Sequence, residues 1–225
     1  MEGFCKISKY FLTLNPNKKV NCKLDLYLST ALNFFKSNTN RKLSKKYFEG
    51  FGGDLKGFIV YSETEKIEKY FTEINHIKVI ICGIPMIGSK ILNAKNIISL
   101  YTRYGLNVTA KKVDGNCSVI VIDEKNGSIS IIRDKIGLSP VYYTIDSGLT
   151  CSSNVGAIIR SRKKKYTYNK KIIGRYASCN FRANYGSEET FFNDVFQILP
   201  SNILTYKNDK VLIKRYWDLD SNKII

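Results

Sequence analysis

The stretch NCSVIVIDEKNGSISIIRDKIGLSPVYYTID, residues 116–146, decides the fold. Cys117 to Ile122 is an apolar run of strand length, and Ser128, Ile129, Ser130 and Ile131 alternate with the period of a half-buried strand. Between them stands Asn126-Gly127, the strongest short-range hairpin signal, because both residues accept the positive φ of a tight turn. The return strand breaks at Arg133-Asp134, passes Gly137 and Pro140, and resumes as the aromatic strand VYYTID. Gly137 permits a tight turn, Pro140 fixes φ at its end, and Arg133 and Asp134 can tie the loop through charge-assisted hydrogen bonds. The joint therefore reads as a structural corner.

Working outward, the chain continues this pattern. Upstream, FCKISKYFLTL reads as a first strand, DLYLSTALNFFKS (25–37) as an amphipathic helix, and Lys36 to Lys46 as a polar loop. KGFIVYSE (56–63) and HIKVIICG (76–83) read as strands, with Gly83 and Pro85 expected to stop the second. NAKNIISLYTRYG (93–105) has helical spacing at Ala94, Ile97, Ile98 and Tyr101, with Gly105 as its C-cap. Downstream, SG (147–148) turns into LTCSS, Asn154 caps a short helix NVGAIIRS, IIGRYASCNF reads as another helix, and NILTY, KNDK and VLIKRYW form a last hairpin. Antiparallel strands with helices outside them imply an α+β protein of layered sheets.

The chain has 225 residues, enough to bury roughly 70% of its extended surface, so neither disulfides nor a metal are needed to hold a core. Six cysteines without a C-x-x-C pair read as reduced, mostly buried thiols. The single histidine, His76, excludes a metal site built on two histidines and most histidine-dependent catalysis, and a lone histidine at the start of a strand reads as structural. No metal and no cofactor are expected. A net charge of +17, densest in RSRKKK (160–165) and NRKLSKK (40–46), can carry contacts to an anionic partner. Basic residues spread along the whole chain, however, which favours a solvated surface over a nucleic-acid-binding module. No apolar run approaches the ~20 residues of a membrane span, and no signal peptide is legible, so the expected location is cytoplasmic.

Four segments in register carry a family resemblance: DGNCSVIVIDEKNGSISIIRDKIGLSPVYY, GLTCSSNVGAII, FFNDVFQILPSNILTY and KRYWDLD. Over residues 114–220 they resemble the amino-terminal domain of glutamine-dependent asparagine synthetases, which are class II glutamine amidotransferases of the N-terminal-nucleophile (Ntn) hydrolase fold. The resemblance implies a four-layer αββα sandwich of two antiparallel sheets between helices, spanning residues 1–220, with 221–225 as the start of a linker or tail. It implies a catalytic N-terminal cysteine, whose free amine acts as base, and donors that stabilise the oxyanion. Here position 2 is Glu2, so Cys5 could serve as that nucleophile only after removal of Met1 to Phe4 or a different translation start; otherwise it is a small apolar residue of the first strand.

Where the family has Asn-Gly-Glu-Ile-Tyr-Asn this chain has CGIPMIG: Gly83 matches, Cys82 takes the Asn position and Ile84 the Glu position. The Asp that would grip the substrate amine falls on Asn93, and the nearest piece to an Arg-Gly-Pro-Asp motif is EGFGGD (49–54). Cys82, Gly83 and Asn93 thus mark a degenerate glutamine pocket, with Ile84 and Asn93 expected to line a pocket near Cys5. Such departures resemble the degenerate domains of lasso-peptide and β-lactam synthetases. They imply a domain without glutaminase activity that supports an ATP-pyrophosphatase synthetase domain or separate chain, and a peptide substrate or leader. No Ser-Gly-Gly-x-Asp-Ser phosphate loop stands in the sequence. An active glutaminase using Cys5 and a basic nucleic-acid-binding module remain the alternatives.

Overall fold

The computed structural model describes residues 8–14, 21–37, 42–146, 148–161, 166–179 and 187–219. Cys5, most of the RSRKKK run and the 220–225 tail lie outside them, so the expected pocket beside Cys5 does too. The chain divides into two compact units, each assembled from two separated stretches: residues 1–67 with 140–199, and 68–139 with 200–225.

The first unit holds a six-stranded antiparallel sheet among the described residues. Its strands are β1 (Lys9–Leu14), β2 (Leu43–Gly50), β3 (Leu55–Ser62), β9 (Tyr142–Ile145), β10 (Leu149–Ser152) and β11 (Phe196–Gln197), ordered β11-β9-β10-β1-β3-β2. Helix α1 (Asn21–Ser37) buries Leu28, Ala31, Leu32 and Phe35, the i, i+3, i+4, i+7 stripe of an amphipathic helix. That stripe meets Phe11, Phe58 and Val60 of the sheet and Ala157 and Ile158 of α3 (Val155–Ser161). The Phe35 ring stands edge-on to Phe58, 6.0 Å between centroids, and Phe58 stacks on Phe11 at 5.9 Å. Each such fully buried ring contributes about 2–3 kcal/mol of transfer free energy. α3 starts as expected: Asn154 Oδ1 accepts the Gly156 N–H at 2.8 Å. Helix α4 (Lys170–Cys179) completes the unit.

In the second unit β4 (Phe71–Ile74), β5 (Ile77–Ile87), β7 (Asp114–Asp123), β8 (Ser128–Arg133), β12 (Asn202–Lys207) and β13 (Lys210–Arg215) run in the order β13-β12-β8-β7-β5-β4, and β6 (Lys90–Ile91) pairs with β5. Helix α2 (Ala94–Lys112) lays Ala94, Ile97, Ile98 and Ala110 against Ile77, Val79, Ile81, Val119 and Val121. On the opposite parity Ile80, Ile120, Ile122, Ile129, Ile131 and Leu204 are fully buried as well, so neither face of the central strands is solvated. Every pairing among the described strands is antiparallel.

Three expectations are corrected. The polar stretch before Lys46 is not all loop: β2 begins at Leu43 as an edge strand whose Lys45 and Lys46 are exposed, and a charged edge hides the period-2 signal. Gly83 and Pro85 do not end β5, which runs to Ile87: Pro85 has no N–H to give, but its carbonyl accepts the Leu92 N–H at 2.9 Å. Gly105 (φ 73°, ψ 174°) interrupts α2 without ending it, since helix resumes to Lys112 and Thr109 Oγ1 donates to the Gly105 carbonyl at 2.8 Å.

Candidate functional site

The Arg133–Pro140 corner is tied from several sides. The Arg133 guanidinium donates to the Gly137 carbonyl at 2.8 Å, and the Asp134 carboxylate accepts the Leu138 and Ser139 N–H groups at 2.9 and 2.8 Å. Asp134 also joins the main-chain ladder, its N–H donating to Cys117 and its carbonyl accepting from Ser201. The Ser201 hydroxyl donates to the Lys135 carbonyl, and the Tyr216 hydroxyl donates to the Arg133 carbonyl at 2.8 Å. Gly137 (φ 77°) is forced: a Cβ there would meet Pro200 Cγ at 2.6 Å. Pro140 follows, half-buried. Arg133 and Asp134 are themselves almost fully buried, and one guanidinium nitrogen and both carboxylate oxygens are used in holding this loop.

The CGIPMIG stretch, expected to be a degenerate glutamine motif, lies where β5 and β7 come close. Gly83 has φ 99°, and a Cβ on it would stand 2.1 Å from the Asn116 carbonyl oxygen; on the facing strand Gly115 has φ 97° and meets Ile84 O at 2.3 Å. Only glycine fits either place. Directly across the ladder Cys82 pairs with Ser118, and Ser118 with Arg133. The three side chains therefore form a buried row on one face of the sheet. Ser118 Oγ has no hydrogen-bond partner among the described residues. Sequence reasoning missed Ser118; the one signal available was its register opposite Arg133 in the β7–β8 hairpin, already legible.

Asn93 is the N-cap of α2. Its Oδ1 accepts the Asn96 N–H at 2.9 Å, and its own N–H donates to Asn96 Oδ1 at 3.0 Å, a reciprocal capping box. Its side-chain oxygen caps the helix, and the carboxamide carries no charge for a substrate ammonium. Ile84 offers none either. Cys82 presents a weakly donating thiol where a carboxamide has two strong N–H donors.

The other titratable groups are placed for structure. Burial, then the charges of Asp134, Cys82 and Asp114, pushes the Cys117 thiol far up, and burial alone does so for Cys151, which keeps both thiols protonated. His76, partly exposed at the β4–β5 turn, stands 3.8 Å from Asp123 Oδ1. In the first unit EGFGGD is the β2–β3 turn, with Phe51, Gly52 and Gly53 all at positive φ. Depressions lined by described residues open on that unit. One of about 290 Å³ lies beside Tyr47, Glu49 and Lys56, and one of about 190 Å³ beside Tyr142, Val155 and Phe192. No group of three or more His, Cys, Asp or Glu able to hold a metal occurs among the described residues, and no helix there is long and apolar enough to cross a membrane.

Comparison with known proteins gives these arrangements a lineage. The chain is 28% identical over 134 residues to a putative glutamine-hydrolysing asparagine synthetase of Methanocaldococcus jannaschii, covering 57% of this chain and 25% of that protein. It is 26% identical over 112 residues to a glutamine-hydrolysing asparagine synthetase of Bacillus subtilis, covering 49% of this chain and 18% of that one. The chain thus spans a quarter or less of the curated relatives it matches. Among solved structures it superposes on the allosteric regulatory enzyme of purine biosynthesis with a TM-score of 0.57 at 9% identity, over 93% of this chain and 49% of that one. The glutamine phosphoribosylpyrophosphate amidotransferase of B. subtilis gives 0.56 at 10% identity, with the same coverage. Those likenesses establish the expected α+β Ntn-hydrolase amidotransferase fold, two antiparallel sheets with helices. Residues 93–217, which hold the Asn93 cap, the β7–β8 hairpin and the corner, match the glutamine amidotransferase domain family, and the chain belongs to that family.

Proposed function

We propose that this domain has lost glutamine hydrolysis and supports an ATP-dependent, amide-forming synthetase, either of the asparagine type or of a kind that modifies a peptide such as a lasso precursor. The synthetase sits on the same polypeptide or on a separate one, in the cytoplasm, and this domain serves it by covering the acyl-adenylate site or holding a peptide substrate. The observation that carries the reading is the joint state of Cys82, Ile84 and Asn93: a thiol, a hydrocarbon and a neutral helix cap at the three positions where the family resemblance asks for a donor and two charges. A zwitterion taken into such a pocket would leave a charge unpaired at a cost of several kcal/mol. Loss of one oxyanion donor alone lowers turnover by about 10²–10³-fold.

The test is ammonia release from glutamine by the purified full-length chain, with intact mass recorded on the same sample. The expected result is no ammonia above the protein-free control. Release that disappears in Cys5→Ala would overturn the proposal and establish the second reading, an active glutaminase that uses Cys5.

A further inference from the structure

The turn between β7 and β8 holds the only Asn-Gly pair in the chain, Asn126-Gly127, and both residues are exposed. Such a pair can react with itself. The carboxamide carbon of an asparagine can close a five-membered ring with the amide nitrogen of the next residue, and a glycine there has no Cβ to hinder the approach. Nothing lies within 4 Å of the position a Cβ would take on Gly127 (φ 62°), so water reaches the turn.

In the fold both reacting groups are occupied. Asn126 Nδ2 donates to Asp123 Oδ2 at 2.7 Å and the Asn126 N–H to Asp123 Oδ1 at 3.0 Å, so one carboxylate grips the residue at two points. The Gly127 N–H donates to the Glu124 carbonyl at 3.3 Å. Asp123 is itself fixed: it is 2% exposed, and the Tyr101 hydroxyl donates to its Oδ2 at 2.8 Å. The Glu124 N–H donates to the His76 carbonyl at 2.9 Å, which ties the turn to the start of β5. Ring closure requires the carboxamide to rotate out of the Asp123 grip and the Gly127 nitrogen to leave Glu124, so the turn must open first.

We infer that Asn126 is a modification site, an amide set to convert without an enzyme to aspartate and isoaspartate, and that Asp123 is the latch that holds this reaction back in the folded chain. The Gly127 nitrogen, its proton passed to solvent, attacks Asn126 Cγ. The Cγ–Nδ2 bond breaks, ammonia leaves carrying a proton from water, and a succinimide remains. Water then adds to one ring carbonyl and the C–N bond beside it breaks, giving aspartate or isoaspartate. Either product ends the latch, because the new carboxylate has no hydrogen to give Asp123 and repels it. Isoaspartate also lengthens the main chain of the turn by one atom, against the Asp123–Ser128 register. The β12–β13 turn offers an internal comparison: Asn208 is exposed as well, but the residue after it, Asp209, bears a side chain. The inference stands whether or not the chain hydrolyses glutamine.

The full-length protein would be incubated at mildly alkaline pH, folded or unfolded in urea, with aspartate and isoaspartate at each asparagine followed by peptide mapping. In urea, Asn126 is expected to convert before every other asparagine, Asn208 included. The folded chain should convert about a hundredfold more slowly, since opening breaks two hydrogen bonds to a charged group, each worth roughly a factor of ten. Asp123→Ala, shown by circular dichroism to be folded, should convert at least about tenfold faster than the folded wild type. Tyr101→Phe disturbs the same network but leaves both Asp123–Asn126 bonds, and should convert much more slowly than Asp123→Ala. If Asp123→Ala does not fold, the folded and unfolded wild-type rates still decide. Another asparagine converting first in urea, equal rates in the folded and unfolded chains, a folded Asp123→Ala no faster than wild type, or a Tyr101→Phe as fast as Asp123→Ala would each overturn the inference.

Discussion

Gly83 and Gly88 both hold positive φ, yet their neighbours make them unequal. A methyl group on Gly83 would run into the Asn116 carbonyl, whereas nothing lies within 4 Å of the position a Cβ would take on Gly88. Gly83→Ala should therefore lower unfolding free energy by about 3 kcal/mol, the sum of strain and clash, and Gly88→Ala by only about 1 kcal/mol, the backbone term alone; urea melts of the two variants compare them. Asn93 permits a second test. Asn93→Ala should cost about 1 kcal/mol by removing the cap, while Asn93→Asp, an equally good cap, should stay within about 0.5 kcal/mol. Thermal unfolding of both variants checks this. The sequence marks Asn93 only as an expected substrate position; its use as a capping box was not legible, because the partner side chain belongs to Asn96 and the bond exists only once the helix turns.

At the scale of elements, β4, β5 and the β7–β8 turn share a network of charge that sets how the fold answers pH. Burial works to raise the Asp123 carboxyl, but the Asn126 N–H, the Tyr101 hydroxyl at 2.8 Å and the Asn126 side chain outweigh it and hold it below the usual carboxylate value. Its stabilisation is present above that usual value and lost as pH falls through the depressed one. Lys78 is the opposite case: burial pulls its ammonium down, but bonds to Glu124 at 2.8 Å and Glu73 at 2.9 Å win and raise it. Tyr101 is pushed up to about 12 by burial and then by its bond to Asp123. Both contributions hold below the ordinary values near about pH 10 and fade as pH climbs above them. Unfolding free energy measured against pH should accordingly lose part of its acid slope in Asp123→Asn and part of its alkaline slope in Lys78→Met. Element identity was legible wherever period and turn chemistry agreed, as in the β7–β8 hairpin or the Asn154 cap. It failed where they conflicted: the lysines of β2 mask an edge strand, and Gly83 and Pro85 look like terminators although Gly83 packs against the Asn116 carbonyl across the ladder and the Pro85 carbonyl accepts the Leu92 N–H just after β6.

Over the whole molecule, family and fold were readable from four short segments because those segments build hairpins and the corner, whose register is local. The division into two units was not, because each unit draws on stretches far apart in the chain, and such pairing leaves no periodic trace. The same interleaving makes a prediction. Residues 68–139 expressed alone would lack β12 and β13 and expose β8 as an apolar edge, so the fragment should aggregate or give a poorly dispersed NMR spectrum. Adding the 200–219 peptide in trans should restore dispersion. β12 pairs with β8 through five register positions from Ile203–Ile132 to Lys207–Ser128, yet some seventy residues separate the two in the order of synthesis. A ribosome making this protein must therefore hold a half-finished sheet in waiting until its final strands emerge. During that interval the growing chain depends on whatever shields nascent polypeptides, and a stop codon shortly before residue 202 would remove an inner strand of the second sheet along with its outer neighbour.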